Sequence, residues 1–499
     1  MTINGIGNRS SLLVQSLGDT RAQLDDLQRQ LGTGQKSTTY AGLGPDRGLT
    51  VGLRSQLSAI TGYGDTITNV GVRISLQQNA LSGISDMANS VKGAAQTQFS
   101  IDASGQASAQ RTAMGQFDQI LGLLNTQSGD RYLFSGRATD TPATDTLDHI
   151  MNGDGARAGF KQVMAERNQA DLGTNGLGRL VIPAASGSQV SISEETPPTV
   201  FGMKLASVST LNGATVTGPT GSPAGVTINV TGNPNPGDAI KFSFTMPDGT
   251  SEQLSLTATT DSPPAAGEFT IGATPGDTAT NLQSSLTTAV GKLAATSLSA
   301  ASSMAAAHDF FDVGAGQPPM RVSGSPATAT ALVAGTAANT VTWYTGEMGT
   351  DSARGTAVAQ VDDSLTVAYG ARANEQAITS TLKSMAVFAA TTYSASDPNA
   401  ADRFAAVNQR VGNTVAGTNG QQQLSDIEGE LAYAQTTMKS ATDRQQQKQT
   451  TLENLLQGIE QAPPDQVASQ ILALQTQLQA SLQTTARLYQ LSIVNFITN

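Results

Sequence analysis

The chain has 499 residues, is 38% hydrophobic and 13% charged, and carries a net charge of −11 at pH 7. This length allows about three domains of ordinary size, and the acidic balance disfavours binding to nucleic acid or to an anionic membrane. The sequence has no cysteine, which excludes disulfides, thiolate nucleophiles and thiolate metal ligands.

The N-terminal region predicts an amphipathic helix with one narrow apolar stripe. The stripe consists of five leucines at spacings of 4, 7, 3 and 4 residues: Leu13, Leu17, Leu24, Leu27 and Leu31. A break rich in Gly and Pro follows at residues 40–48, and a second helical pattern extends from about residue 49 to residue 126. Part of this second pattern is close to a heptad repeat, which is typical of helices that pack against other helices.

Three consecutive bulky residues, Tyr132, Leu133 and Phe134, end the second helical pattern in a chain that is only 4% aromatic. Ser135 and Gly136 follow, and then Thr and Pro residues that are typical of a loop. An ordinary core contact at the end of a helix is a sufficient explanation for each of the three side chains taken singly.

The middle of the chain, about residues 180–355, alternates apolar and polar residues over several short runs, which is the period of a half-buried strand. Asp248-Gly249 lies between two such runs and is a strong signal for a β-hairpin. A helical pattern follows at residues 278–311, and Pro-rich segments separate the pieces. We therefore expect about residues 213–312 to form a small α+β unit of their own, inserted into a host domain.

The C-terminal region again predicts helices. A Gln-rich helical pattern at residues 421–460 ends before Pro463-Pro464. A second narrow stripe then follows with spacings of 4, 3, 4 and 4 residues: Val467, Ile471, Leu474, Leu478 and Leu482. Either stripe alone could cover the core of its own domain. Because both are narrow and have no neighbouring core within reach of a short loop, we expect each to pack against the opposite end of the chain or against another copy.

Catalytic and ligand-binding patterns are weak. The two histidines, His149 and His308, lie far apart in the sequence, and a lone histidine is a poor basis for a metal site or a catalytic relay. GTGQKS at residues 32–37 has the wrong spacing for a phosphate-binding loop and follows a helical pattern, so Gly32 and Gly34 are better explained as helix ends. We expect no catalytic residue, no cofactor and no bound metal.

Two stretches near the N-terminus resemble the bacterial flagellin family. They are LQRQLGTGQKSTTYAGLGPDRGLTVGLRSQLSAI (27–60) and ITNVGVRISLQQNALSGISDMANSVKGAA (67–95), which resemble the family pattern of a helix, a turn of small residues and a second helix. The chain departs from this pattern at Asp46-Arg47, where the family usually has paired acidic residues.

Two further stretches resemble one branch of that family, the flagellin-like proteins of the hook–filament junction. RYLFSGRATDTPA, which begins at residue 131, resembles the end of their second helix, and DQVASQILALQTQLQASLQTTARLYQLSIVNFI (465–497) resembles their C-terminal ending. In all, the resemblance extends over about residues 1–180 and 355–499. The chain is long for a junction protein, so filament flagellin stays open as the alternative.

The resemblance implies an α+β fold in which long N- and C-terminal helices pack as a coiled-coil shaft. A β-rich central domain then carries the inserted α+β unit. The resemblance also implies that Tyr132, Leu133 and Phe134 form an apolar plug between the helical shaft and the β-rich part, although an ordinary core contact without a role in assembly explains each residue equally well. The implied parts are terminal assembly helices at residues 1–45 and 455–499, a helical shaft domain at residues 46–180 and 355–454, and a β-rich outer domain at residues 181–354. The residues expected in subunit assembly are Leu13, Leu17, Leu24, Leu27, Leu31, Val467, Ile471, Leu474, Leu478, Leu482, Leu488 and Leu491.

The function implied by the resemblance is that of a structural subunit of the bacterial flagellum, not an enzyme. The first residues lack a signal peptide and no run approaches the roughly 20 apolar residues of a membrane span, which taken alone predicts a cytosolic protein. Export through the flagellar type III channel would instead place the protein outside the cell. The expected partners are hook, hook-associated and filament subunits, further copies and an export chaperone, with no nucleic acid and no membrane insertion. A secreted adhesin or binding module is the alternative from another functional class, suggested by the Thr-, Ser- and Gly-rich middle.

Overall fold

A computed structural model describes residues 4–95, 99–101, 108–415 and 421–497. The fold is mixed α+β, with 54% helix and 16% strand. The chain forms two compact units. The terminal unit comprises Met1–Asn69, Gln360–Thr366 and Thr436–Asn499, and the central unit comprises Val70–Ala359 and Val367–Gln435.

The long helices expected from the sequence are present at both ends of the chain. The helices are α1 (Asn4–Thr33), α2 (Arg47–Ala95), α3 (Ser108–Leu124), α4 (Leu147–Asn152), α5 (Phe160–Leu172), α6 (Pro275–Leu293), α7 (Ser299–Phe311), α8 (Gln376–Ala390), α9 (Ala400–Val415), α10 (Leu424–Glu460) and α11 (Pro464–Ile497). A π-helical segment, Ala294–Leu298, joins α6 to α7, and a 3-10 helix, Tyr40–Asp46, precedes α2. The boundary between the two units falls inside α2 and α10.

Most strands lie in the central third of the chain. They are β1 (Gln127–Ser128), β2 (Arg131–Tyr132), β3 (Leu180–Val181), β4 (Gln189–Glu194), β5 (Lys204–Val208), β6 (Ala214–Thr220), β7 (Gly225–Val230), β8 (Ala239–Thr245), β9 (Ser251–Thr259), β10 (Glu268–Thr270), β11 (Met320–Val322), β12 (Leu332–Ala334), β13 (Val358–Asp362) and β14 (Leu365–Ala368). Two four-stranded sheets, with orders β3-β4-β7-β6 and β10-β9-β8-β5, form the β-rich part.

One hydrophobic core joins both sheets to α6. The alternation along β8 explains its place there, since Ile240, Phe242 and Phe244 are buried on one face of the strand. The hairpin predicted at Asp248-Gly249 is confirmed: β8 pairs with β9 in antiparallel register, and Gly249 has a φ of +80°, which glycine adopts without strain.

The unit expected at residues 213–312 is wrong at both of its boundaries. β4 and β5, which precede residue 213, pair with β7 and β8, which follow it. At the other boundary, α7 packs against α5 and α8 and so belongs to the helical part of the central unit. The alternation of apolar and polar residues identifies a strand but not the partner with which the strand pairs. For this reason the predicted boundary at residue 213 divides both sheets.

The helical part of the central unit is built around α8, which contacts α3, α7 and α9. All residues from 377 to 390 except Ser380 are buried. Aromatic rings fill the neighbouring space: Phe311 lies 5.3 Å from Phe160 and 5.8 Å from Trp343, measured between ring centroids. The second helical pattern of the sequence corresponds to α2 and α3, and most residues between these two helices lie outside the described ones.

Candidate assembly surface

Helix α1 ends and helix α11 begins at one shared joint. Gly34, with a φ of +70°, follows α1, and Gln461 lies in the short connection between α10 and α11. Gln35 and Gln461 form an antiparallel bridge, the Lys36 N–H donates to the Glu460 carbonyl at 2.8 Å, and the Ala462 N–H donates to the Gly34 carbonyl at 3.0 Å. The two chain breaks are therefore held together by backbone hydrogen bonds, although they come from opposite ends of the sequence.

Side chains strengthen this joint. The Arg54 guanidinium on α2 donates to both carboxylate oxygens of Glu460, at 3.0 and 2.7 Å. The Lys36 ammonium donates to the Gly458 carbonyl at 2.8 Å, which satisfies one of the carbonyl groups left unpaired at the end of α10. The bidentate geometry of the Arg54–Glu460 pair fixes direction as well as distance.

From the joint, α1 and α11 pack against each other. Ala462, Val467 and Ile471 are buried in a small cluster, with Leu24 and Leu27 packed against it. The opposite end of the chain is thus a packing partner of each stripe, which is one of the two possibilities that the sequence left open. The seam is narrow, because the residues on either side of each buried position are mostly exposed.

The eight predicted stripe residues outside this cluster divide into three groups. Leu13, Leu17, Leu474 and Leu478 are half-buried, whereas Leu31 and Leu482 are exposed by 46% and 43%. Leu488 and Leu491 belong to α11, but their side chains lie outside the described residues. The strict spacing of 4, 3 and 4 residues ends at Leu478, so a side chain four residues later points away from the seam.

Large apolar side chains also lie outside the seam, at positions that the two stripes do not include. Leu12 and Leu472 are exposed by 64% and 65%, and Val14 is exposed as well. Each lies one residue from a seam position, which is about 100° around the helix. A groove of about 450 Å³ runs beside the seam, and it is lined by Gln23, Asp26, Leu27, Gln470, Ala473 and Leu474.

A second helix pair completes the terminal unit. Leu53 and Ile60 on α2 form a buried cluster with Leu452 on α10. Beside it, Asp363 accepts hydrogen bonds from the Tyr63 hydroxyl and the Lys448 ammonium, both at 3.2 Å. These two donors lower the pKa of the Asp363 carboxyl, with the Lys448 hydrogen bond as the larger cause.

The residues expected to form a plug lie in a segment that is hydrogen-bonded to α2 and to the residues before α8. Leu133 and Phe134 are buried and Tyr132 is half-buried, so their apolar character is explained. Gln77 on α2 donates to the Leu133 carbonyl at 3.2 Å, and the Ala373 N–H donates to the Phe134 carbonyl at 2.8 Å. These two hydrogen bonds join the segment to α2 and to the residues before α8. A plug between the helical part and the β-rich part stays a prediction.

No cluster of three metal-ligating side chains occurs in the part of the chain that the structure describes. Across the described helices, none combines the length and the apolar character that crossing a membrane requires. No protein-family model matches the chain, and a comparison with curated proteins finds no match either.

Proposed function

We propose that the protein is an exported structural subunit of the bacterial flagellum that polymerises through α1 and α11, at the junction between hook and filament. The observation that carries this proposal is the paired arrangement of the two terminal helices. They share a narrow seam, while Leu12, Val14 and Leu472 remain exposed beside it.

The exposed residues give a driving force for assembly. Burying a leucine side chain fully contributes about 1.5–3 kcal/mol relative to leaving it in water. Three or four such side chains on one helix pair would contribute several kcal/mol per contact, repeated in every subunit. Single exposed leucines are common on protein surfaces, so the argument depends on their concentration on the two helices that also carry the seam.

The groove beside the seam supports a coiled-coil arrangement in the assembled state. It lies between α1 and α11, and Leu27 and Leu474 line it. A helix of a neighbouring copy, with its own leucines at heptad spacing, would fit such a groove as knobs fit holes. In this proposal the terminal helices form the inner contacts of the polymer, and the β-rich part takes no share in them.

The junction position depends on the sequence resemblance of residues 131–143 and 465–497 to junction proteins. The proposed partners are hook and filament subunits, other hook-associated proteins, further copies and an export chaperone. Filament flagellin is the alternative within the same structural role. A secreted adhesin would use the β-rich part and would not need the flagellum.

The test is to locate a tagged copy on the cell. Residues 261–266 are exposed in the loop between β9 and β10, so an epitope inserted there leaves both sheets intact. We expect immunogold label in a short band between hook and filament. Label along the whole filament would identify a filament flagellin, and label on cells without flagella would contradict the structural role.

A further inference from the structure

A cavity of about 980 Å³ that opens to solvent lies in the central unit, lined by α7, α8, α9 and the turn between β8 and β9. Its volume is at the upper end of the range of pockets that bind small molecules. The floor is apolar, with Met304, Phe311 and Val313, and the remaining wall consists mainly of hydroxyl and amide side chains. Nothing in the proposed assembly function requires such a cavity.

The ionised side chains of the wall are already paired with one another. Arg410 donates from Nε to Asp248 at 2.8 Å and from Nη2 to Glu252 at 3.0 Å. Lys383, whose side chain is only 6% exposed, donates from Nζ to Asp312 at 2.7 Å. The charges therefore compensate each other, and a charged ligand would find no uncompensated partner of opposite sign.

Two polar groups in the wall retain hydrogen-bonding capacity. Thr379 is 4% exposed, and within the described residues its hydroxyl has no hydrogen-bond partner. Buried hydroxyls are nearly always hydrogen-bonded, so an unpaired one requires an explanation. The Lys383 ammonium has three N–H groups, and it contacts the Asp312 carboxylate and, at 3.0 Å, Nδ1 of His308. At least one further acceptor can therefore bind to it, whether or not Nδ1 of His308 accepts one of these N–H groups.

We propose that this cavity binds a neutral, polyhydroxylated ligand, a short oligosaccharide. Hydroxyl groups both donate and accept, which matches a wall of Asn374, Gln376, Ser380, Asn413 and Thr414 around the unpaired Thr379 hydroxyl. The apolar C–H face of a sugar ring fits against the floor at Met304 and Val313. A ligand with a net charge would disturb the paired charges of the wall without gaining an uncompensated charge of opposite sign.

The test compares Thr379→Val with Thr381→Val, two substitutions of equal shape on the same helix. The Thr379 hydroxyl has no partner in the free protein, so its replacement should not lower the melting temperature. It should weaken ligand binding about tenfold, which corresponds to ~1.4 kcal/mol. Thr381 lies outside the cavity wall and its hydroxyl donates to the Ala377 carbonyl at 3.1 Å. Its replacement should lower the melting temperature and leave binding unchanged.

The probes are maltotriose, cellotriose and triacetylchitotriose, with sialyllactose and trigalacturonate as charged controls. Binding is measured by calorimetry and by the fluorescence of Trp343, the single tryptophan, whose indole N–H donates to the Phe311 carbonyl at 2.9 Å. We expect at least one neutral trisaccharide to bind with a Kd below about 1 mM. Absence of neutral binding, equal binding of the charged sugars, or an unchanged Kd in Thr379→Val would each overturn the proposal.

Discussion

Gln35 and Gln461 lie opposite each other in an antiparallel bridge, although one follows the first helix of the chain and the other precedes the last. This bridge aligns the break after α1 with the break before α11. It also sets the register of the seam, because Leu24, Leu27, Val467 and Ile471 lie within a few turns of it. The terminal helices are therefore positioned by backbone hydrogen bonds at the joint as well as by their apolar stripes.

The first prediction tests the seam and the exposed face separately, by substitutions at two adjacent residues of α11. Ile471→Asp places a charge in the buried cluster of the seam, so we expect it to destabilise the α1–α11 pair by about 3 kcal/mol. Leu472→Asp changes a side chain that is 65% exposed, so we expect a change within about 0.5 kcal/mol in the monomer. Urea unfolding followed by circular dichroism measures both.

Under the proposed function, both substitutions should abolish polymerisation, which sedimentation of assembled protein measures. The exposed and polar Gln475→Asp serves as the control for the added charge. If Leu472→Asp polymerised as well as the unsubstituted protein, the exposed apolar face would have no part in assembly.

The second prediction concerns two glycines at which an added methyl group would meet no other atom within 4 Å. Gly34 has a φ of +70°, whereas Gly18 lies inside α1 with helical backbone. Gly34→Ala should therefore cost about 1 kcal/mol, since alanine is strained in the left-handed region. Gly18→Ala should stabilise α1 by about 0.5–1 kcal/mol. Thermal unfolding of the two variants measures whether each substitution lowers or raises the stability. A stabilising Gly34→Ala would contradict the backbone geometry of the joint.

The third prediction is a pH dependence that comes from Asp312. Burial alone would raise the pKa of this carboxyl, but the hydrogen bond with His308 and the charge of Lys383 outweigh it and lower the pKa. A carboxyl with a lowered pKa in the folded state stabilises the fold above its unfolded value of 3.8, and this contribution is lost as the pH falls through the lower, folded value.

Asp312→Asn should therefore reduce the free energy of unfolding by about 1 kcal/mol at pH 7, a modest effect because the carboxylate is half-exposed. Below pH 3.8 the difference from the unsubstituted protein should shrink, since that protein then also loses the Asp312 charge. Urea unfolding at pH 7 and pH 3 measures this, with the exposed Asp261→Asn as control. A difference that stayed constant over this range would rule out the ionic contribution.

The fourth prediction concerns deletion of residues 213–312. This deletion removes Phe310 and Phe311, whose ring centroids lie 5.7 and 5.3 Å from that of Phe160. It also leaves β5 without its partner β8, and β4 without β7, so that β4 keeps only the short strand β3. We expect it to abolish cooperative unfolding of the central unit. Circular dichroism during urea unfolding provides the measurement.

A deletion of residues 174–298 with a short Gly/Ser linker is the matched comparison. It removes both sheets and α6 but keeps α7, whose Ser302 hydroxyl donates to Asp171 at 2.6 Å. The deletion removes Phe201, whose ring contacts the Arg167 guanidinium. We therefore expect the helical part to fold, with a free energy of unfolding about 3 kcal/mol lower than in the full chain. Cooperative unfolding of the 213–312 deletion, at the stability of the full chain, would contradict the sheet pairing.

The elements that were predictable from the sequence are those specified by local chemistry. The Asp248-Gly249 hairpin was predictable because a positive φ at Gly249 and alternation on both sides are local properties. The stripe that contains Val467 and Ile471 was predictable from its period alone. Strand partners were not predictable, because β4 and β5 have the same alternation as several other runs.

The candidate surface was predictable only in part, for a related reason. Leu472 is exposed and its neighbour Ile471 is buried, because burial depends on where the partner helix lies. The apolar period of a single helix does not give the position of that partner. Thr379 carries no local signal either. Its hydroxyl is unpaired because of how three helices and a β-turn meet around it, which a local sequence pattern does not show.

The pairing of α1 with α11 has a consequence for the order of synthesis. Leu27 leaves the ribosome 440 residues before Val467, which at roughly 5–20 residues per second is on the order of tens of seconds. During that time the leucines of α1 have no seam partner from their own chain. Among the contacting helices of the described residues, α1 and α11 are the pair farthest apart in the sequence. A chaperone that covers α1 during this interval would shield its leucines until α11 is made.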